Sequence, residues 1–436
     1  MKYISTNQKS PQASLKEAVL SGMPSDGGLF LPREIPVLDQ SFIQTLGSHS
    51  FQDISLAMSS AILANDIPMR DLHKIIDQSM NFPIVLHDLD SQTSVLEAFH
   101  GPTMAFKDFG ARFMAHLMAY LVRGNDRKLT ILVATSGDTG GAVANGFLKI
   151  PGIQVIILYP HGKVSPSQEK QLTTQGHNIL ALEVNGNFDD CQTLVKTAFA
   201  DTDLRKTFQL SSANSINVAR LIPQSFYYAY AVGQSSDKAK NIVFSVPSGN
   251  FGNLTAGLLA QRMGIPIKHF IAATNSNDVF VKYRSTGEFQ PRPSDHTISN
   301  AMDVGNPSNL ARIRHLFDDD INRIRTAVSG WSFTDTETRE MIKSIHEQFD
   351  YIIDPHTAVG FLGLKKYEGM VQGKYKGVVI STAHPAKFPE SVEPVTGKSI
   401  KIPPQLAQYL DRKKQAIPMS TDYGEFRQYL FDTLDQ

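Results

Sequence analysis

The chain has 436 residues, 41% of them apolar and 19% charged, and its 42 basic side chains are balanced by 42 acidic ones. That composition supports a sizeable core in roughly two or three domains and excludes a disordered or fibrous chain, while the zero net charge gives no electrostatic reason to bind nucleic acid or an anionic membrane. A single cysteine, Cys191, rules out an intrachain disulfide or a cysteine zinc cluster and points to a reducing, cytoplasmic location.

Residues 1–12 are polar and lack the apolar core of a signal peptide. Residues 1–80 carry helical patterns at 15–20, Phe51–Leu63 and 72–79 around the turn Pro24-Ser25-Asp26-Gly27-Gly28, which predicts an N-terminal helical subdomain. From Leu129 onward, β-branched runs alternate with helical stretches. Strands are expected at Leu129–Ala134, 154–159, Ile179–Val184, 241–246, 267–273 and 377–381, and helices near Gly141, at 166–175 and at 188–199. Strands apolar on both sides and alternating with helices indicate parallel sheet covered on both faces. The expected fold is therefore α/β: two open, mainly parallel sheet lobes with helices on both faces, spanning 81–402. Segment 284–330, rich in Arg, Asp, Asn and Pro, reads as an insertion or lid, and 403–436 as a helical tail. An apolar run such as 155–158 is strand-length and far short of a membrane span.

Several motifs point nowhere. Gly397-Lys398-Ser399 resembles the end of a P-loop, but Val392 stands where its first glycine belongs. His346-Glu347 begins a zinc-protease pattern, but Asp350 replaces the second ligand. Asp318-Asp319-Asp320 lacks an ordered ligand loop and reads as solvated surface.

Three segments fall where an open α/β sheet places its site, at the carboxyl ends of strands. Ser136-Gly137-Asp138-Thr139-Gly140-Gly141 follows the strand 129–134 and offers hydroxyls and helix-start amides suited to a carboxylate. An ordinary capped turn would have the same composition. Pro247-Ser248-Gly249-Asn250-Phe251-Gly252-Asn253 follows the strand 241–246 and reads as a backbone-amide phosphate cradle, or else as a tight turn. His100-Gly101-Pro102-Thr103-Met104-Ala105-Phe106-Lys107-Asp108 sets Lys107 between Phe106 and Phe109 at the start of an amphipathic helix. Apolar surroundings and a positive helix end disfavour its ammonium, as a Schiff-base amine requires; a lysine reaching out to solvent is the alternative. Phosphate cradle and desolvated lysine together point to pyridoxal phosphate.

At these residues the sequence resembles the threonine synthases, pyridoxal-phosphate enzymes related to the tryptophan synthase β chain. The resemblance runs from Ser25-Asp26-Gly27-Gly28-Leu29 through the Lys107 motif to Ser381-Thr382-Ala383-His384-Pro385-Ala386-Lys387-Phe388. It implies that Lys107 is the covalent anchor and catalytic amine. It also implies that Gly249, Asn250, Phe251, Gly252 and Asn253 hold the cofactor phosphate. Thr382, with Ser381 as the fallback, would meet the pyridine nitrogen. Ser136, Asp138 and Thr139 would receive the substrate carboxylate, and Asn214, Ser215 and Arg220 the substrate phosphate. Asn217 and Arg220 are expected on one helix face. A second phosphate site would set the protein apart from serine and threonine dehydratases, which need one.

The implied reaction takes O-phospho-L-homoserine and water to L-threonine and phosphate. A phospholyase or dehydratase-type relative and a non-catalytic homologue are the alternatives. A monomer or homodimer without metal, nucleic-acid or membrane partner is expected. Plant members carry an N-terminal extension for S-adenosylmethionine activation; Met1 here is expected to lead directly into the first helix, without that control.

Overall fold

The computed structural model describes residues 1–135, 137–235 and 241–434. In chain order its strands are β1 (Tyr3–Ser5), β2 (Phe30–Pro32), β3 (Val85–Asp88), β4 (Thr93–Glu97), β5 (Leu129–Ala134), β6 (Ile153–Pro160), β7 (Ile179–Val184), β8 (Gln209–Ser212), β9 (Ile242–Pro247), β10 (Ile267–Thr274), β11 (Val328–Ser332), β12 (Lys376–Ser381) and β13 (Ile417–Met419). The larger sheet has the order β11-β10-β9-β12-β4-β3, with only the edge strand β3 antiparallel. The smaller sheet, β13-β7-β6-β5-β8, is parallel throughout.

Period-two alternation explains why the central strands are apolar on both sides. On β9, Phe244 and Val246 enter one apolar cluster and Val243 another. On β5, Ile131 and Val133 enter that same first cluster, while Leu132 and Ala134 enter a third. The first cluster is thus common to both sheets, and the helix Lys107–Leu121 packs into it through Phe109, Phe113 and Leu117. Truncating a fully buried side chain there, such as Phe244 to Ala, costs about 3–5 kcal/mol.

The six strands expected from sequence are present as β5, β6, β7, β9, β10 and β12, within one residue at each end. The shorter strands β4, β8, β11 and β13 were not legible. Thr-Ser-Val-Leu-Glu in β4 and Val-Ser-Gly-Trp-Ser in β11 become strands by pairing with neighbours more than by their own hydrophobicity. Residues 1–80 contain the expected helices (Leu15–Ser21, Phe51–Leu63, Met69–Ser79), but β1 and β2 form a small antiparallel pair, so Met1 leads into a strand and not a helix.

Segment 284–330 contributes the helices Leu310–Leu316 and Ile321–Ala327 and leads into β11 at the sheet edge. The fully buried Arg312 fastens it, donating to the Phe30 carbonyl at 2.8 and 3.1 Å, the Ile216 carbonyl at 2.6 Å and Asn309 Oδ1 at 2.7 Å. The tail adds β13 to the smaller sheet as well as the helices Pro404–Leu410 and Tyr423–Leu434. Among the described residues no helix is long and apolar enough to cross a membrane.

Candidate active site

Because β4, β12 and β9 are neighbours and parallel, the segments that follow them emerge on one edge of the larger sheet. After β4 comes the loop to the Lys107 helix; after β12, Thr382; after β9, the loop to the helix Gly252–Arg262. The first two segments are zipped together. The Phe106 N–H donates to the Thr382 carbonyl at 2.8 Å, and the His384 N–H to the Met104 carbonyl at 3.1 Å. This pairing brings Lys107 and Thr382 into one place although they are far apart in sequence.

Lys107 opens its helix and is half-buried. Among the described residues its ammonium has neither a hydrogen bond nor an ion pair. Burial pulls it down to about 8, Arg220 and Lys387 add to the depression, and Asp138 opposes it. At that value roughly a tenth is free amine at pH 7, far more than for an ordinary lysine. The next residue, Asp108, is fully buried and accepts from the Thr103 N–H at 2.8 Å and the Thr103 hydroxyl at 2.6 Å. Burial raises its carboxyl to about 6 despite those bonds. Gly101 is needed in this loop, since a Cβ there would lie 2.4 Å from an Asp108 carboxylate oxygen.

The loop after β9 is shaped as a cradle. A Cβ on Gly249 would sit 2.6 Å from the Met302 Cα, so no side chain fits between the loop and 300–302. Phe251 takes the left-handed conformation (φ 60°, ψ 10°), unusual for a phenylalanine, and its buried ring packs on Phe280 at 4.8 Å. The first bond of the following helix runs from the Thr255 N–H to the Phe251 carbonyl, which leaves the Gly252, Asn253 and Leu254 amides for an external acceptor. Asn253 accepts from the Tyr227 and Tyr228 hydroxyls at 2.6 and 2.7 Å, and its buried Nδ2 has no acceptor among the described residues. Such a donor is costly unless something binds it.

At the end of β12 the two neighbouring hydroxyls differ. Ser381 shares a 2.8 Å bond with Thr357, whose hydroxyl is held by Asp354. The Thr382 hydroxyl makes no hydrogen bond among the described residues, although the residue is buried.

The smaller sheet supplies the opposite wall. The turn after β5 begins the helix Asp138–Gly146, and Thr135 organises it by accepting the Gly137 and Gly140 N–H groups at 3.1 and 2.9 Å. Ser136 lies outside the described residues. Thr139 is half-buried in the first turn. The Asp138 side chain is occupied by Lys387 and Gln168, so what the turn offers a carboxylate is backbone N–H groups and not this side chain. After β8, Asn217 caps the short helix Val218–Leu221 and donates to the Val19 and Ser212 carbonyls. It is a structural tie to the N-terminal helix and not a face partner of Arg220. Arg220 is buried, donates through Nη1 to the Ala213 carbonyl at 2.9 Å, and keeps an Nε without an acceptor among the described residues. Burial pulls its guanidinium down to about 10, with Asp108 opposing. Asn214 and Ser215 are half-buried beside it in sequence. Asn250 joins the loop 249–253 to the segment 214–220, donating to the Ser215 hydroxyl at 2.6 Å, and accepts from the Ser308 N–H at 2.6 Å.

Sequence reasoning missed Thr103, Thr135, Gln168 and Lys387. Lys387 stood in a quoted motif, but nothing local shows that its partner is Asp138. The assembled donors suit a phosphate at 249–253, a ring nitrogen at Thr382, a carbonyl carbon for Lys107 and a second anion at Arg220.

The family model described as "Pyridoxal-phosphate dependent enzyme" matches residues 93–383, and models for the threonine synthase N terminus and C-terminal region match 2–80 and 357–430. Threonine synthase from Haemophilus influenzae is 42% identical, covering 96% of this chain and 97% of its own. That from Escherichia coli strain K12 is 40% identical, covering 99% and 100%. The crystal structure of pyridoxal-phosphate-bound threonine synthase from Brucella melitensis superposes with a TM-score of 0.94 at 34% identity, with full coverage of both chains. The chain belongs to the threonine synthase family of pyridoxal-phosphate-dependent enzymes.

Proposed function

We propose that this protein converts O-phospho-L-homoserine and water to L-threonine and phosphate, the last step of threonine biosynthesis, in the cytoplasm. The observation that carries the reading is that the Asn250–Ser215 bond joins the donor-rich segments 249–253 and 214–220, near a Lys107 that has no ion pair among the described residues and is depressed to about 8. A dehydratase-type site would need only the first segment.

The orphaned Asn253 Nδ2, the Gly249 cradle and the open amides of the Gly252 helix fit a bound phosphate. The free Thr382 hydroxyl fits a pyridine nitrogen better than the engaged Ser381. Pyridoxal phosphate, when bound, supplies an electron sink for a carbanion next to the substrate nitrogen. Lys107 would hold it covalently and, as a free base, would take the Cα proton and shuttle the Cβ proton. The amides around Asp138 and Thr139 receive the substrate carboxylate. Arg220, with Asn214 and Ser215, holds the substrate phosphate and stabilises its charge as the Cγ–O bond breaks. Water then adds at Cβ.

The test supplies O-phospho-L-homoserine to the cofactor-loaded protein and quantifies phosphate, threonine and 2-oxobutyrate together. One threonine per phosphate is the expected result. One 2-oxobutyrate per phosphate would make the protein a phospholyase, and no phosphate release would remove the substrate assignment.

A further inference from the structure

Lys387 has no exposed surface, and the reaction above gives it no role. A buried ammonium persists only where partners take up its charge. Its Nζ donates to Asp138 Oδ1 at 2.5 Å and to the Thr103 carbonyl at 3.0 Å. Lys387 follows β12 in the larger sheet, whereas Asp138 follows β5 in the smaller one. From the smaller sheet's side, Gln168 Nε2 donates to the same Asp138 oxygen at 3.0 Å, and Gln171 Nε2 to the same Thr103 carbonyl at 3.1 Å. Each of these two oxygens is therefore shared by one donor from each lobe.

We propose that the Lys387–Asp138 ion pair is an interlobe fastening that sets the electrostatic field at Lys107 and leaves the Asp138 turn presenting amides, not negative charge, to an incoming anion. Lys387 and Asp138 are positioning residues in this arrangement. The charged groups around Lys107 are Asp138, Arg220 and Lys387, with Asp108 next in the chain. With the pair intact, one negative and one positive charge largely cancel at the Lys107 amine. Neutralising Lys387 leaves Asp138 to hold the Lys107 proton. Neutralising Asp138 leaves Lys387 to repel it. Neutralising both restores the cancellation. A purely packing role predicts that all three variants lose stability while Lys107 stays as it was.

The test measures acetylation of Lys107 by acetic anhydride in the full-length, cofactor-free chain, read by mass spectrometry of the Lys107 peptide as a function of pH. Near pH 7, Lys387→Met should react about tenfold more slowly and Asp138→Asn about fivefold faster, with the double variant within about twofold of the parent. In the loaded enzyme, Lys387→Met should raise KM for O-phospho-L-homoserine more than it lowers kcat. Single variants that shift Lys107 in the same direction, or not at all, overturn the proposal. If Lys387→Met does not fold, the acceleration in Asp138→Asn and its cancellation in the double variant still decide. The inference takes from the proposed function only that Lys107 is the reactive amine. The labelling uses no substrate, so a failed substrate assignment leaves it standing, and unchanged labelling in an active enzyme refutes the ion pair alone.

Discussion

Two helices begin at the crevice, and each has an aspartate in its first turn, yet the two carboxyls are driven in opposite directions. Among the described residues the carboxyl of Asp108, second in the helix Lys107–Leu121, meets only the Thr103 amide and hydroxyl directly, and burial raises it to about 6. Asp138, first in the helix Asp138–Gly146, is also buried, which alone would raise it. Lys387 and Lys107, with hydrogen bonds from Lys387 and Gln168, hold it well below the usual carboxylate range. The helix N-terminus is common to both, so it is not what separates them. The difference is a cation within bonding distance, and it leaves a weakly polar turn under Lys107 and an ion-paired turn across the crevice from it.

The strongest way to break this arrangement is to remove the amine between the two turns. Lys107→Ala should lower turnover by about a thousandfold or more while leaving the circular dichroism spectrum of a folded chain; normal turnover would end the assignment. Next comes the proposed second anion site. Arg220→Met removes a buried charged donor whose Nε is unclaimed among the described residues, and should cost about a hundredfold in kcat/KM for O-phospho-L-homoserine. A loss confined to thermal stability, with kcat/KM intact, would make Arg220 a structural tie to Ala213 only.

Much of this was legible in sequence where the signal was local. β5, β7 and β9 showed themselves as runs apolar on both faces, and Lys107 and 249–253 as polar or glycine-rich residues directly at strand or helix ends. β4 was not legible, although it delivers the chain to Lys107, because only Val95 and Leu96 are apolar in it. The Lys387–Asp138 pair and the Asn250–Ser215 bond were hidden for another reason. Each joins segments that follow strands of different sheets, and no periodicity encodes a partner that only strand order brings close. Asn217 misled because a cap and a ligand-bearing face have the same residue preference.

The raised carboxyl of Asp108 sharpens the comparison through pH. An acid titrating at about 6 when folded and near 3.9 when unfolded binds more protons in the folded chain between those values. Its contribution to stability is full below the unfolded value and is lost as pH rises through the folded one. Relative to the parent, Asp108→Asn should therefore gain about 1.4 kcal/mol of stability between about pH 5 and pH 7.5, measured by urea unfolding. A difference independent of pH would mean that the carboxyl is not raised.

The smallest effect is the most specific, because it separates adjacent hydroxyls on one strand end. Because the Thr357 hydroxyl donates to Asp354, Ser381 spends its one O–H on Thr357 and has no donor to spare for a ring nitrogen without breaking that chain. Thr382 is buried, and its hydroxyl is unclaimed among the described residues. Thr382→Val keeps the shape and removes one neutral hydrogen bond, so kcat should fall about fivefold with the melting temperature nearly unchanged. Ser381→Ala should do the reverse, lowering the melting temperature by removing the hydrogen bond to Thr357 while kcat stays within about twofold. If the two variants exchange these phenotypes, Ser381 is the residue that meets the ring, and the Thr357–Asp354 chain becomes part of the chemistry and not of the scaffold.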